Sequence, residues 1–174
     1  REETVEKLLK KMTLEEKVSL CHGATHFTTA SIERLGIRPL EFADGPHGVR
    51  NRDENHTYFP TGISVGATWN PELVRDYGRA LGTETVASGR DVILGPAICI
   101  NRNPLCGRFF EYMSEDPHLV SELAAEYIRG VQSTGAAACA KHYVANSQEE
   151  QRHTISENVD LRTLHEIYFP GFKA

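Results

Sequence analysis

The chain has 174 residues, and 19 Lys and Arg against 24 Asp and Glu give it a formal net charge of −5. That length buries a core without staples, and 40% hydrophobic with 25% charged residues exclude a disordered or coiled-coil chain. Mild acidity without a block of like charges argues against a nucleic-acid partner, which needs a basic face. The longest run free of Asp, Glu, Lys and Arg, Asn55 to Pro71, is too polar to cross a membrane.

Taken in order, the chain alternates helix and strand signals. Val5, Leu8, Leu9 and Met12 follow the i, i+3, i+4, i+7 rule of an amphipathic helix. Thr13-Leu14-Glu15-Glu16 is a capping box, predicting a second short helix. Pro39 to Ala43 is a short extended run ending in the Asp44-Gly45-Pro46 turn. Ile63 to Ala67 is the second strand candidate. Asn70-Pro71-Glu72 opens a long helix, with Asn as cap and Pro at the first helical position, and this helix fades at Ser88-Gly89. Asp91 to Ile100 is the third strand candidate. Asp116-Pro117 opens another helix whose stripe is Val120, Leu123, Ala124, Tyr127, Ile128 and Val131, and Ser133-Thr134-Gly135 stops it. Ala136 to Ala140 is the fourth strand candidate, and a last helix begins near Asp160 and breaks at Pro170-Gly171. Strand–helix–strand crossovers of this length mean parallel strands, hence an α/β sheet or barrel. No linker or repeat marks a boundary, so residues 1–174 read as one domain.

Cys21, Cys99, Cys106 and Cys139 form no C-x-x-C pair, which disfavours zinc ribbons and thioredoxin-type sites. Cys99 and Cys139 lie in apolar runs and read as buried small hydrophobes. His22 and His26 have a helical metal-pair spacing, but Gly23 breaks the helix and no third ligand follows, so no metal is expected. The sequence starts without Met and looks cut at both ends. No leader is visible, which favours the cytoplasm, although the ends do not assign a compartment.

Polar residues gather after three of the strand candidates: Asp44 to Arg50, then Asn101 to Pro104 with Gly107 to Glu111, then Lys141-His142 with Gln148 to Arg152. The carboxyl ends of strands are where α/β folds build their sites. Each residue has a plain structural alternative. Asp44 could be a turn-former, Arg108 could pair with Glu111 or Glu115, Lys141 could snorkel to water, and His142 could be satisfied by backbone. As neighbours on a strand, Lys141 and His142 would point opposite ways and hold different groups of a ligand. A carboxylate with several cations suits a sugar, whose hydroxyls both accept and donate, with Trp69, Phe109 and Tyr112 covering a ring face. A phosphate would suit the cations too. There is no Walker loop and no G-x-G-x-x-G, so no nucleotide cofactor is expected.

Longer motifs go further. Lys11 to Val18, Asp44-Gly-Pro-His-Gly-Val-Arg50, Gly107-Arg-Phe-Phe-Glu-Tyr-Met-Ser-Glu-Asp-Pro117, Lys141-His-Tyr-Val-Ala-Asn-Ser-Gln-Glu-Glu-Gln-Arg152 and Leu161 to Phe172 occur in this order. Together they resemble the N-terminal domain of glycoside hydrolase family 3, of the β-glucosidase type, over essentially the whole chain. The N-acetylglucosaminidase branch carries a Pro-Gly-His-Gly loop after its Lys-His, and that loop is absent. The resemblance implies the first part of a TIM-like (β/α)8 barrel, incomplete, with about four strands, because a full barrel takes about 250 residues. It implies Asp44, Arg108, Lys141, His142 and Arg152 as glycone-binding residues, with Arg50 a weaker match supporting Asp44. It also implies a retaining mechanism whose Asp nucleophile, in a Ser-Asp-Trp segment, and Glu acid/base both lie outside these residues. No catalytic residue, metal or cofactor is then expected within the chain, the partner is a β-linked sugar, and the missing part of the barrel and a following domain complete the enzyme. An unclosed sheet would leave edges that promote aggregation or dimerisation of the piece alone. The alternatives are a non-catalytic sugar-binding remnant and, less well supported, a phosphate-binding barrel enzyme.

Overall fold

The structure, a computed structural model, describes residues 2–50 and 55–174. It separates into two compact units, Arg1–Phe42 and Ala43–Ala174. In the first unit, α1 (Glu2–Lys11) forms over the predicted amphipathic segment, and α2 (Leu14–Ser19) starts at the predicted capping box. The Thr13 side chain accepts from the Glu16 amide and the Glu16 carboxylate accepts from the Thr13 amide, so two orphan amides are satisfied reciprocally. The same carboxylate takes the Arg34 guanidinium in a fork, at 2.6 and 2.5 Å. Antiparallel bridges Gly23–Thr29, Thr28–Glu41 and Ile32–Ile37 fold the remainder back on itself.

The larger unit is built on a three-stranded sheet of order β1 (Phe42–Asp44), β2 (Val92–Leu94), β3 (Ala137–Ala138). The division between the units falls inside β1. β2 and β3 are parallel, with Val92 opposite Ala137 and Ile93 opposite Ala138. A parallel pair requires a crossover, supplied by α5 (Pro117–Gln132), while α4 (Pro71–Ala87) precedes β2. Both long helices start at the predicted caps: Asn70 accepts from the Leu73 amide and Asp116 from the His118 amide. Buried Val74 and Leu81 of α4 meet Val120, Leu123, Ala124, Tyr127 and Val131 of α5 over Ile93, Ile98 and Ile100. Ile128, the remaining residue of the predicted stripe, is half-buried. Each fully buried large side chain contributes about 1.5–3 kcal/mol.

The expectation of about four strands is corrected to three among the described residues. Ile63 to Ala67, the second candidate, lies in a helix, α3 (Gly62–Gly66), and its end. The deciding signal is a pair of glycines one helical turn apart. A Cβ on Gly62 would lie 2.0 Å from the Glu111 carbonyl oxygen, and one on Gly66 would lie 1.9 Å from that of Met113, so this face packs directly on backbone. β2 is also shorter than Asp91 to Ile100, because Gly95-Pro96 follows it and Pro has no amide to give the ladder. The last helix does not stop at Pro170. α6 (Leu161–Thr163) runs through a π-helical turn, Leu164–Tyr168, into α7 (Pro170–Lys173), where Pro170 takes the tolerated first position. Cys99 is buried as expected, but Cys139 is exposed, since it follows β3, the strand at one edge of the sheet. Among the described residues no helix is long and apolar enough to cross a membrane.

Candidate active site

The turn after β1 is a closed loop. The Arg50 amide donates to the Asp44 carbonyl at 2.8 Å, and between them Gly45 has φ +134° with a notional Cβ 1.6 Å from the Gly48 oxygen. No side chain fits there, which explains the Asp-Gly-Pro spelling better than generic turn propensity does. The loop is also fastened from the helices. The Pro46 carbonyl accepts the hydroxyls of Tyr77 on α4 at 3.2 Å and of Tyr127 on α5 at 2.9 Å. Burial pushes both phenols far above their usual range, so they remain donors. His47, further round the loop, has its ring edge-on to Tyr58 and Phe110, and burial is the main cause of its lowered pKa.

Lys141 and His142 follow β3. The Lys141 backbone continues the parallel pairing, donating to Pro96 at 2.9 Å and accepting from Ile98 at 2.7 Å. This holds the side chain at the strand tip, where Nζ donates to Asp44 Oδ1 at 2.6 Å. Lys141 therefore does not snorkel to water; its side chain is 13% exposed and that of Asp44 is 30% exposed. Arg50 approaches the other Asp44 oxygen at 3.8 Å with most of its own side chain in water. Burial pushes the Asp44 carboxyl up, but the Lys141 hydrogen bond and charge, the Gly45 amide and the Arg50 charge outweigh it, leaving Asp44 below its usual range.

His142, which lies outside the strand, serves different neighbours from Lys141. Its amide and carbonyl contact the Cys99 thiol, and its ring meets that of Tyr112 edge-on, Nδ1 lying 3.4 Å from Oη. Burial, followed by the charges of Arg108 and Lys141, pushes its pKa down to about 4, so the imidazole is neutral near pH 7.

Arg108, His142 and Arg152 line one cavity of about 440 Å³, together with Asn146, His153 and Glu157. Arg108 ion-pairs with buried Glu111, and this pairing outweighs the burial that works against its charge. Glu149 lies between the two arginines, 2.7 Å from Arg152 and 4.0 Å from Arg108, and accepts from Asn146 at 2.8 Å. Asn146 in turn donates to Tyr112 Oη at 2.9 Å.

The six residues singled out in the sequence thus fall into two adjoining groups, Asp44–Lys141–Arg50 and Arg108–His142–Arg152, joined through the Lys141-His142 peptide. Tyr112 lies buried beneath the His142 ring, whereas Trp69 and Phe109 line a separate cavity of about 370 Å³ with Asn101. Sequence reading singled out neither Glu149 nor Asn146 for a role; the signal was the position of Glu149 three residues before Arg152, a helical-turn pairing distance. Every cation of the site faces a carboxylate: Asp44 for Lys141 and, at 3.8 Å, for exposed Arg50; Glu111 for Arg108; Glu149 for Arg152.

The chain matches the sequence model of the family described as "Glycosyl hydrolase family 3 N terminal domain" over residues 4–174. It is 48% identical over 180 residues to the thermostable beta-glucosidase B of Acetivibrio thermocellus, covering 97% of this chain and 24% of that protein. It is also 48% identical to a beta-glucosidase of Rhizobium radiobacter, covering 97% of this chain and 21% of that one. The chain therefore spans about a quarter of the length of these curated relatives. Among solved structures, beta-glucosidase 3B of Thermotoga neapolitana in complex with glucose superposes with a TM-score of 0.88 at 42% identity, covering 98% of this chain and 27% of that one. A glycoside hydrolase family 3 beta-glucosidase of Bifidobacterium adolescentis gives 0.90 at 43% identity, covering 95% and 24%.

Proposed function

The chain belongs to the glycosyl hydrolase family 3 N-terminal domain family, and from that premise we propose that it forms the glycone-binding part of a retaining β-glucosidase-type hydrolase. The observation that carries the reading is the placement of a carboxylate, Asp44 at the end of β1, against Lys141 beyond β3, beside the Arg108–His142–Arg152 cavity. In this reading the strands open a (β/α)8 barrel whose remaining strands lie elsewhere in the protein.

The chemistry of the groups fits a neutral, many-hydroxyl ligand. An ionised Asp44 accepts from two neighbouring hydroxyls while Lys141 holds its charge and orientation. Neutral His142 both donates and accepts, and the two guanidinium groups donate to ring hydroxyl oxygens. A phosphate would need free cations, yet Lys141, Arg108 and Arg152 each already face a carboxylate. The retaining reaction needs two further carboxyl groups about 5–5.5 Å apart across the sugar, and these come from outside the chain in this proposal. The residues present then act by binding: hydrogen bonds that strengthen as the ring flattens toward an oxocarbenium ion lower the barrier.

The test is hydrolysis of an aryl β-glucoside by the full-length protein and by its Asp44→Ala variant. Loss of a charge-assisted pair of bonds in the transition state is expected to reduce kcat/KM by at least about a hundredfold. Unchanged turnover in the variant would remove Asp44 from the site. Thermal stabilisation by phosphate but not by glucose would overturn the sugar reading altogether.

A further inference from the structure

Resting on that glycosidase reading, we propose that Glu149 is a specificity-determining residue: it fills the carboxylate-binding face of Arg152, places a second negative group near Arg108, and so makes the cavity select an uncharged sugar over an acidic one. An arginine fork in a partly dry cavity is a receptor for a carboxylate. Arg108 and Arg152 both line the cavity; with Arg108 held by Glu111, the receptor that a uronic acid or another anionic sugar would use is Arg152. Glu149 occupies that position already. Its carboxylate is 2.7 Å from Arg152 and 4.0 Å from Arg108, and its side chain is only 24% exposed. Asn146 holds it from behind at 2.8 Å, and Asn146 is itself tied to buried Tyr112. The carboxylate is therefore anchored in place rather than swinging in solvent.

The other charged groups do not duplicate this role. Glu111, buried, neutralises Arg108 but has no ion pair with Arg152, so at Arg152 the role belongs to Glu149. Glu157, exposed, lines the cavity without an ion pair among the described residues. His142 is neutral near pH 7, and His153 meets Arg152 by a ring nitrogen at 3.4 Å, which supplies no negative charge. An incoming sugar carboxylate must therefore displace Glu149 or meet its repulsion, whereas a hydroxyl accepts from the guanidinium edges that remain.

The experiment measures the binding of D-glucose and D-glucuronate to the full-length protein by titration calorimetry, in wild type and in Glu149→Gln. The wild type should bind glucose and discriminate against glucuronate. Glu149→Gln frees Arg152 and should improve the glucuronate-to-glucose affinity ratio by at least about tenfold, with the gain shrinking as salt rises. Glu149→Asn, a second neutral variant, is read the same way if the Gln form does not fold. Glu150→Gln removes the same charge one residue along, at an exposed position, and should leave the ratio unchanged. A merely structural Glu149 would weaken both ligands in parallel in Glu149→Gln, and that result overturns the proposal, as does an equal gain in Glu150→Gln. Should the wild type bind neither sugar while Glu149→Gln binds glucuronate, the glycosidase reading fails and the charge-blocking role stands. Failure of every form to bind either sugar overturns both.

Discussion

Replacing Lys141 by Met keeps most of the stem and removes the charge that faces Asp44. The two charged atoms are 2.6 Å apart, so at an effective dielectric of about 20 their attraction is about 6 kcal/mol before desolvation is subtracted. Part of that is already offset in the native protein by the burial of both groups. Arg50 at 3.8 Å remains in the variant, but its side chain is 71% exposed and worth little. The net loss expected from leaving Asp44 half-buried without its partner is about 3 kcal/mol near neutral pH. The sign of the pH dependence follows from Asp44, whose folded-state pKa is lowered. Its stabilisation is fully present above the unfolded value of about 3.9 and is lost as pH falls through the lower folded value. Urea unfolding at a series of pH values should therefore show Lys141→Met well below wild type at about pH 7, with the two converging in acid. Equal stability at neutral pH would refute the pairing. A deficit that stays constant into acid would assign the loss to packing of the lysine stem instead of to charge.

Three further outcomes are expected. The His142 ring, followed by NMR, should titrate near pH 4, and because its folded pKa is lowered from 6.5, stability should fall as pH drops from about 6.5 toward 4; a midpoint near 6.5 would contradict its buried, cation-flanked setting. Tyr127→Phe removes the nearer of two hydroxyls on the Pro46 carbonyl and should cost about 1 kcal/mol; Tyr77→Phe also takes its hydroxyl from the Pro60 carbonyl at 3.0 Å, and the double variant, which strips both hydroxyls from Pro46, should cost more than the sum of the singles in a double-mutant cycle on urea unfolding. Gly66→Ala places a Cβ 1.9 Å from the Met113 oxygen and should destabilise by at least about 3 kcal/mol, a loss that urea unfolding detects and that an exposed strand in this segment would not produce.

Much of the fold was legible because local chemistry and tertiary need agree. The capping box at Thr13, the caps at Asn70 and Asp116, and the apolar stripe of α5 each satisfy a helix on its own terms, so the packed protein had no reason to overrule them. Ile63 to Ala67 was misread because a short apolar run with β-branched residues carries no decisive period; the partners of its glycines, carbonyls of Glu111 and Met113, lie some fifty residues away. Cys139 was misread for a related reason, since an apolar neighbourhood in sequence does not say which face of a strand is covered.

The candidate site divides along the same line. Residue types and their order, read with the family motifs, single out Asp44, Arg50, Arg108, Lys141, His142 and Arg152 as candidates. Pairing was decided only by the fold, because Asp44 meets Lys141 across 97 positions of chain, and no local spacing encodes that distance. The neutrality of His142 and the position of Glu149 between two arginines are likewise products of burial and convergence. Sequence alone determined which charges the protein owns; tertiary structure decided which of them neutralise one another, because that depends on separations of a few ångströms and on how much water is left between the groups.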